Sequence, residues 1–314
     1  MNGPTPLAVA GNVNVDLIMG PVAPWPRAGT EIMVEASDLR YGGAAGNVSL
    51  AWSALGRDHQ IAANTGRARF GAWLRDGLAP HSARWPVAGV GTTISLGLTH
   101  PDSERTFFTT RGHVDALTWT EVRAMIDWQK LAGGQLLVCG SFVTERLAAE
   151  YDALFAHAAG HRVRIGLDTG WPVGGWSAAT RARVWGWVAH CHCLLLNEVE
   201  TAGVTGGCAP EEAPATLLPQ MPEGAVVVVK CGPGGAIAQT RGGALHRVGA
   251  PKVTVADTIG AGDIFNAAFL AALGDGLPLG GCLERGVQVA SVAISTSPRR
   301  YGVEAVPAGG GTPR

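Results

Sequence analysis

Residues 257–263, DTIGAGD, set Asp257 and Asp263 on either side of a turn almost free of side chains, and an apolar run to Leu273 follows at once. Glycine permits unusual backbone angles and lets a ligand approach the main chain. A helix beginning near Ala261 leaves its first amides without internal partners. The N–H groups of Gly260, Ala261 and Gly262, with the positive end of the helix dipole, then form an anion site. Such a site suits the charge that develops on a transferring phosphoryl group. Asp263, on the first turn, stands where it can accept a proton from an attacking hydroxyl. Taken alone, the same letters also describe an ordinary capped helix.

Three more stretches carry chemistry. In GNVNVDL (11–17), Asn12, Asn14 and Asp16 alternate with Val13, Val15 and Leu17. An extended chain puts the three polar groups on one face, as binding of a polyol requires. In YGGAAGN (41–47), Gly42 and Gly43 allow close backbone approach to a substrate, and Asn47 is expected to begin a helix. In NEVE (197–200), Asn197 and Glu200 share a face at spacing i, i+3. Glu200 would hold Mg²⁺ through waters, or the two residues form a capping box; the local sequence does not separate these readings. KCGPGGA (230–236) places Lys230 at a strand end before Gly232 and Gly235. Lys230 reads either as a phosphate contact or as a surface lysine.

Several elements must position these residues. Apolar runs at 7–13, 134–141, 162–168, 191–197 and 225–232 read as strands, with helix-like stretches at 144–160, 177–190 and 211–221 between the later ones. This alternation predicts a mostly parallel sheet with helices on both faces, and a ligand beyond the carboxyl ends of its strands. Segments 29–43 and 91–112 instead alternate polar and apolar residues without crossover helices, the second as a hairpin turning near Pro101-Asp102-Ser103. They predict a small antiparallel sheet acting as a lid. Val34, Leu39, Ile94, Leu96, Leu98 and Phe107 are too apolar for a fully exposed flap, and pairing with a second lid across a two-fold axis would bury them. HCHC (190–193) leads into an apolar strand, where alternate side chains diverge and cannot converge on one metal ion.

Composition bounds the rest. With 46% apolar and 16% charged residues, the 314-residue chain can build a sizeable core. The formal charge of −1 and the lack of a basic stripe argue against nucleic acid or an anionic membrane as partner. The start of the chain shows no basic leader, and the six scattered cysteines suit a reducing compartment, so a cytoplasmic location is expected. No glycine is followed by lysine, and no G-x-G-x-x-G follows the first strand, which excludes a Walker-type loop and counts against a dinucleotide fold.

Together, DTIGAGD, YGGAAGNVSLAWSALG (41–56), NEVE and GNVNVD resemble, in the right order, the signatures of the ribokinase-like (PfkB) carbohydrate kinases. The resemblance implies one three-layer α/β domain over 1–314, with a β-lid drawn from about 17–41 and 91–112, and a disordered tail at 307–314. It implies transfer of the γ-phosphoryl of ATP to a hydroxyl of a sugar or sugar-like molecule, with Asp263 as base. Asp16, Gly43 and Asn47 would hold the acceptor, together with Asn12, Asn14 and Gly42. Asn197, Lys230, Gly232, Gly235, Asp257, Thr258 and Gln288 would lie on the nucleotide side, Gln288 standing where many members carry asparagine near adenine. Mg²⁺ is the implied metal, at Glu200, and a monovalent cation such as K⁺ is allowed for. A nucleoside acceptor, or a ligand-binding relative without transfer activity, stays open as an alternative. A homodimer through the lid is expected, as in some relatives.

Overall fold

The short apolar runs form strands because their residues are buried in succession. In the computed structural model, which describes residues 4–101 and 105–302, the strands in chain order are β1 (Leu7–Ala10), β2 (Asn14–Gly20), β3 (Ala36–Gly42), β4 (Gln60–Ala62), β5 (Thr65–Arg67), β6 (Val87–Gly91), β7 (Ile94–Thr99), β8 (Arg105–Thr109), β9 (Gln135–Cys139), β10 (Arg164–Asp168), β11 (Cys193–Asn197), β12 (Val226–Lys230), β13 (Ala236–Thr240) and β14 (His246–Val248). The tail 307–314 and the hairpin tip at Asp102 and Ser103 lie outside the described residues.

An eight-stranded sheet runs in the order β14-β13-β12-β11-β10-β9-β1-β4. It is parallel from β4 to β12 and antiparallel only at β12–β13 and β13–β14. Consecutive residues Leu136, Leu137 and Val138, like Leu194, Leu195 and Leu196, are fully buried, so both faces of the sheet are covered. The ribokinase-like α/β fold expected from the sequence is the fold found.

The lid departs from expectation. It is a four-stranded sheet, β3-β2-β7-β8, and β2 pairs with β7 in parallel, so it is mixed and not wholly antiparallel. The chain returns to β7 only after a long excursion through β4, β5 and β6, and such a crossover permits parallel pairing. The lid also begins at Asn14, earlier than expected, while residues 29–35 form no strand. Residues 29–33 and 35 are exposed, so no packed face holds that segment as a strand. Register sets Leu17, Leu39, Leu96 and Phe108 in one row across the sheet. Phe107, expected with that apolar set, falls on the opposite face, against Gly97 and Ile18.

Other boundaries shift for local reasons. The segment 144–160 is two helices, Glu145–Ala149 and Tyr151–Gly160, broken where the Glu150 carboxylate accepts from Trp119 N at 2.9 Å. The strand predicted at 191–197 starts at Cys193, leaving His190 in the preceding turn. Cys191 and Cys193 are buried, and among the described residues no group of three or more His, Cys, Asp or Glu can hold a metal directly. Nor is any helix among them long and apolar enough to cross a membrane. Of the tryptophans in 171–187, Trp187 packs on Tyr151 at a ring separation of 5.0 Å, whereas Trp171 is exposed.

Two helices matter most to the site: Ala44–Ala54 and Ala261–Gly274, which pack together. Trp52, fully buried, joins them by donating from Nε1 to Ala267 O at 2.8 Å. Trp52→Ala should destabilise the protein by about 3–5 kcal/mol, the usual cost of a large cavity. Urea denaturation would read this as a lower midpoint; an unchanged midpoint would mean the contact contributes nothing.

Candidate active site

The site grows from the start of the Ala261–Gly274 helix. Its cap, Gly260, is left-handed at φ 76°, and a Cβ there would meet Asn47 Nδ2 at 2.7 Å. Glycine is thus required twice, by backbone angle and by space. Asp263 lies on the first turn as expected, and its Oδ2 accepts from Asn47 Nδ2 at 2.8 Å. Burial pushes the Asp263 carboxyl up to about 7; Asp168 and Asp16 add to the rise, while Asn47 and Lys230 oppose it. Two expectations need correction here. Ala261 N donates to Thr258 O at 3.1 Å, closing the turn, so in this conformation that amide is not free for an anion. Asn47 does not begin its helix, which starts at Ala44 behind Gly43 at φ 82°. Ala44, Ala45 and Gly46 accept helical angles, and Gly43 supplies the break.

Asn12, Asn14 and Asp16 do share a face. Asn12 Nδ2 donates to Asn14 Oδ1 at 3.0 Å, and Asn14 Nδ2 donates to Asp16 Oδ1 at 2.7 Å. Asp16 is lifted to about 6 by burial, against the pull of Arg40 and Asn14. Asn12 Oδ1 is buried without a hydrogen-bond partner, packed against Gly140. Side chains at Gly42 and Gly43 would strike the Asp16 carboxylate and the Asn12 carbonyl. These residues, with Asn47, Gly260, Asp263, Thr93, Ser95 and Thr109, surround a cavity of about 200 Å³; Gly42 itself lies behind Asp16.

The expected nucleotide residues divide. Gln288 lies in a separate cleft of about 430 Å³ between the segment Val248–Val253 and the helix Leu279–Ser295. Lys230 is no surface lysine: its Nζ donates to Asp168 Oδ2 at 2.6 Å and to Asn266 Oδ1 at 3.2 Å. A Cβ on Gly262 would lie 3.5 Å from that Nζ, so the ammonium sits beside the helix start. Burial pulls its pKa down, but Asp168, Glu200 and Asp263 together raise it. Asn197 and Glu200 form the capping box: Glu200 N donates to Asn197 Oδ1 at 2.8 Å and Asn197 N to Glu200 Oε2 at 2.9 Å. Burial and Asp168 raise the Glu200 pKa. Gly235, at φ 90°, passes so close to Val248 O that it serves the turn into β13, and Gly232 opens the exposed 3-10 turn that Gly235 closes. Asp257 is committed to Arg40 and Arg299, and Thr258 Oγ1 to Arg105.

Sequence reading missed Asp168 as a site residue, Asn266 and the three arginines. Asn266 stands three residues after Asp263 on the same helix, a spacing that could have marked it. The arginines gave no local signal.

The sequence profile of the pfkB family carbohydrate kinases matches residues 5–305. Among curated proteins, the 5-dehydro-2-deoxygluconokinase of Bacillus thuringiensis (strain Al Hakam) is 43% identical over 70 residues, covering 22% of this chain and 21% of that protein. The match thus spans about a fifth of that relative. Among solved structures, a putative ribokinase II of E. coli in its apo form superposes with a TM-score of 0.77 at 18% identity, over 96% of this chain and 95% of that one. Ribokinase of Arabidopsis thaliana, complexed with ribose and ATP, gives 0.74 at 19%, over 93% of each chain. With the family profile covering nearly its whole described length, this chain belongs to the pfkB family of carbohydrate kinases.

Proposed function

We propose that the protein moves the γ-phosphoryl group of ATP to a hydroxyl of a sugar or sugar-like molecule, with Asp263 as general base. The observation that carries this is the cavity in which Asp263, at about 7, faces the polar row of Asn12, Asn14 and Asp16 beside a helix start. The row binds hydroxyls, and Asp16 and Asn14 fix which one points to Asp263. As the hydroxyl oxygen bonds to phosphorus, the bond from phosphorus to the bridging oxygen breaks, ADP leaves with the electron pair, and Asp263 takes the proton. The helix start at Gly260 and Gly262, with Lys230 beside it, meets the charge on the transferring group.

The donor set also suits Mg²⁺. Buried Glu200 and Asp168 lie within mutual electrostatic reach of Lys230 and Asp263, without an all-protein cage. Mg²⁺ normally keeps part of its water shell, and Glu200 would hold it through those waters. When bound, the ion neutralises charge on the phosphate oxygens. Closure of the lid over the cavity would exclude water from the transfer.

Asp263→Asn should lower kcat by the ~10²–10⁴-fold typical of a lost base while ATP binding stays nearly intact. Wild-type kcat/KM should rise with pH through about 7, as Asp263 loses its proton. The folded carboxyl binds its proton more tightly than the unfolded one, so its stabilising effect is complete below about 4 and lost as pH rises through about 7. Asp263→Asn should therefore melt above wild type at pH 8, the gap narrowing toward pH 5. Near-normal turnover would remove Asp263 from the mechanism.

Asp16→Ala should weaken the acceptor by about tenfold or more and ATP far less, because the other hydroxyl-binding groups lose their register. Separate titrations of the two ligands check this; equal losses would assign Asp16 to the fold.

The outer lid row, with Leu39 45% and Phe108 50% exposed, is the surface through which two copies would pair. Sedimentation at micromolar concentration should give a dimer for wild type and a monomer for Leu96→Glu. A monomeric wild type ends the pairing and leaves the kinase reading intact.

A further inference from the structure

Register across β3, β2, β7 and β8 sets Arg40, Asp16, Ser95 and Thr109 in one row. Opposed residues in a sheet project to the same face with Cβ atoms roughly 5 Å apart. Asp16, Ser95 and Thr109 line the acceptor cavity, and Arg40 follows Asp16 in that row, next to the lining residues and not among them. Arg40 Nη1 donates to Asp257 Oδ2 at 2.5 Å, and Arg299 Nη2 donates to the same oxygen at 2.6 Å. Arg105, at the start of β8, donates to Thr258 Oγ1. Asp38 lies 3.1 Å from Arg40 Nε, but its side chain is 64% exposed.

Two guanidiniums thus share one sheltered carboxylate, with an exposed carboxylate beside Arg40 and a third guanidinium on the neighbouring Thr258. Arg40 and Arg299 each spend a single N–H on Asp257, although guanidinium geometry suits two parallel bonds to a carboxylate. Both side chains are largely shielded from water, at 22% and 14% exposure, so the surplus positive charge is weakly screened. That charge is felt in the cavity: burial lifts Asp16, and both Arg40 and Arg299 pull it back. Elsewhere the lining is neutral or acidic, with Asp16 and Asp263 repelling an anion set beside them.

We propose that the acceptor is an acidic sugar, whose hydroxyls are held by Asn12, Asn14 and Asp16 and whose carboxylate is taken by Arg40 with Arg299 behind it. This rests on the sugar-kinase reading of the same cavity. The competing role for these arginines is to latch the lid to the Asp257 loop. A latch affects neutral and acidic acceptors alike, and a carboxylate site does not.

The test uses matched pairs, an aldose against its aldonic acid for several pentoses and hexoses, assayed by ADP release with wild type, Arg40→Gln and Arg299→Gln. Wild type should favour the acid by about tenfold or more in kcat/KM, mainly through KM, the scale of one charge-assisted hydrogen bond. Arg40→Gln should bring the acid-to-neutral ratio down toward one, and Arg299→Gln should lower it in part. A wild type that prefers the neutral members, or an Arg40→Gln that lowers both equally, overturns the acidic acceptor and leaves the sugar kinase standing. If no acceptor releases ADP, the kinase reading fails, and calorimetric titration of the same pairs still decides the inference: tighter acid binding that Arg40→Gln abolishes supports it, and equal binding sinks it. Thermal melts of both variants show whether either has simply lost its fold.

Discussion

Asn47 and Asp263 are 216 residues apart in sequence, and the 2.8 Å hydrogen bond between their side chains joins the two helices on which the candidate site is built. Asn47 belongs to the helix that starts behind the paired glycines, and Asp263 to the helix that starts at Gly260. Because a side chain at Gly260 would collide with Asn47, the close approach of these helix starts and the absence of side chains in the turn are one requirement. The packing beneath, with Trp52 reaching Ala267 O, holds the helices in that relation. Ångström-scale placement of a base is a matter of such supporting contacts.

Charge is balanced as tightly as space. Asp168, Glu200 and Asp263 act on one another through a sheltered interior, and Lys230 answers all three. Lys230 and Asn266 both donate to the same oxygen of Asp168, so the ammonium is fixed before any ligand arrives. The raised carboxyl of Asp263 follows first from burial and then from that crowding, which together bring a carboxylic acid near neutrality without a histidine.

What the sequence made legible was local. Glycines before an apolar run, and alternation of Asn12, Asn14 and Asp16 with valine and leucine, are signals written within a few residues, and the turn, helix and polar row they implied are present. The parallel sheet was equally legible, since strands buried on both faces read as unbroken apolar runs. What was hidden depends on chain crossings. Arg40 meets Asp257 across 217 residues and Asn266 meets Asp168 across 98, and no spacing rule reaches that far. The parallel step in the lid was hidden too, because alternation of side chains fixes a strand's face and not its direction. Pairs such as Asn197 and Glu200 carry two meanings in one spelling, and the structure displays the capping box while leaving the same carboxylate beside Asp168 and Lys230.

The link between β1 and β2 is three residues long, and Asn12 is in the middle of it. Gly11 N is tied to the main sheet through Ala62 O, while Val13 O accepts from buried His113, whose other ring nitrogen takes Thr93 N at the entry to β7. Asn12, Asn14 and Asp16 therefore straddle the joint between the eight-stranded sheet and the four-stranded one. Under the proposed function, a lid that swings about this joint would change the spacing between Asn12 and Asp16, and grip on the acceptor and position of the lid would be a single mechanical coordinate. A molecule too short to span both side chains would leave that coordinate unset, and the enzyme would measure the length of its substrate by whether it can shut.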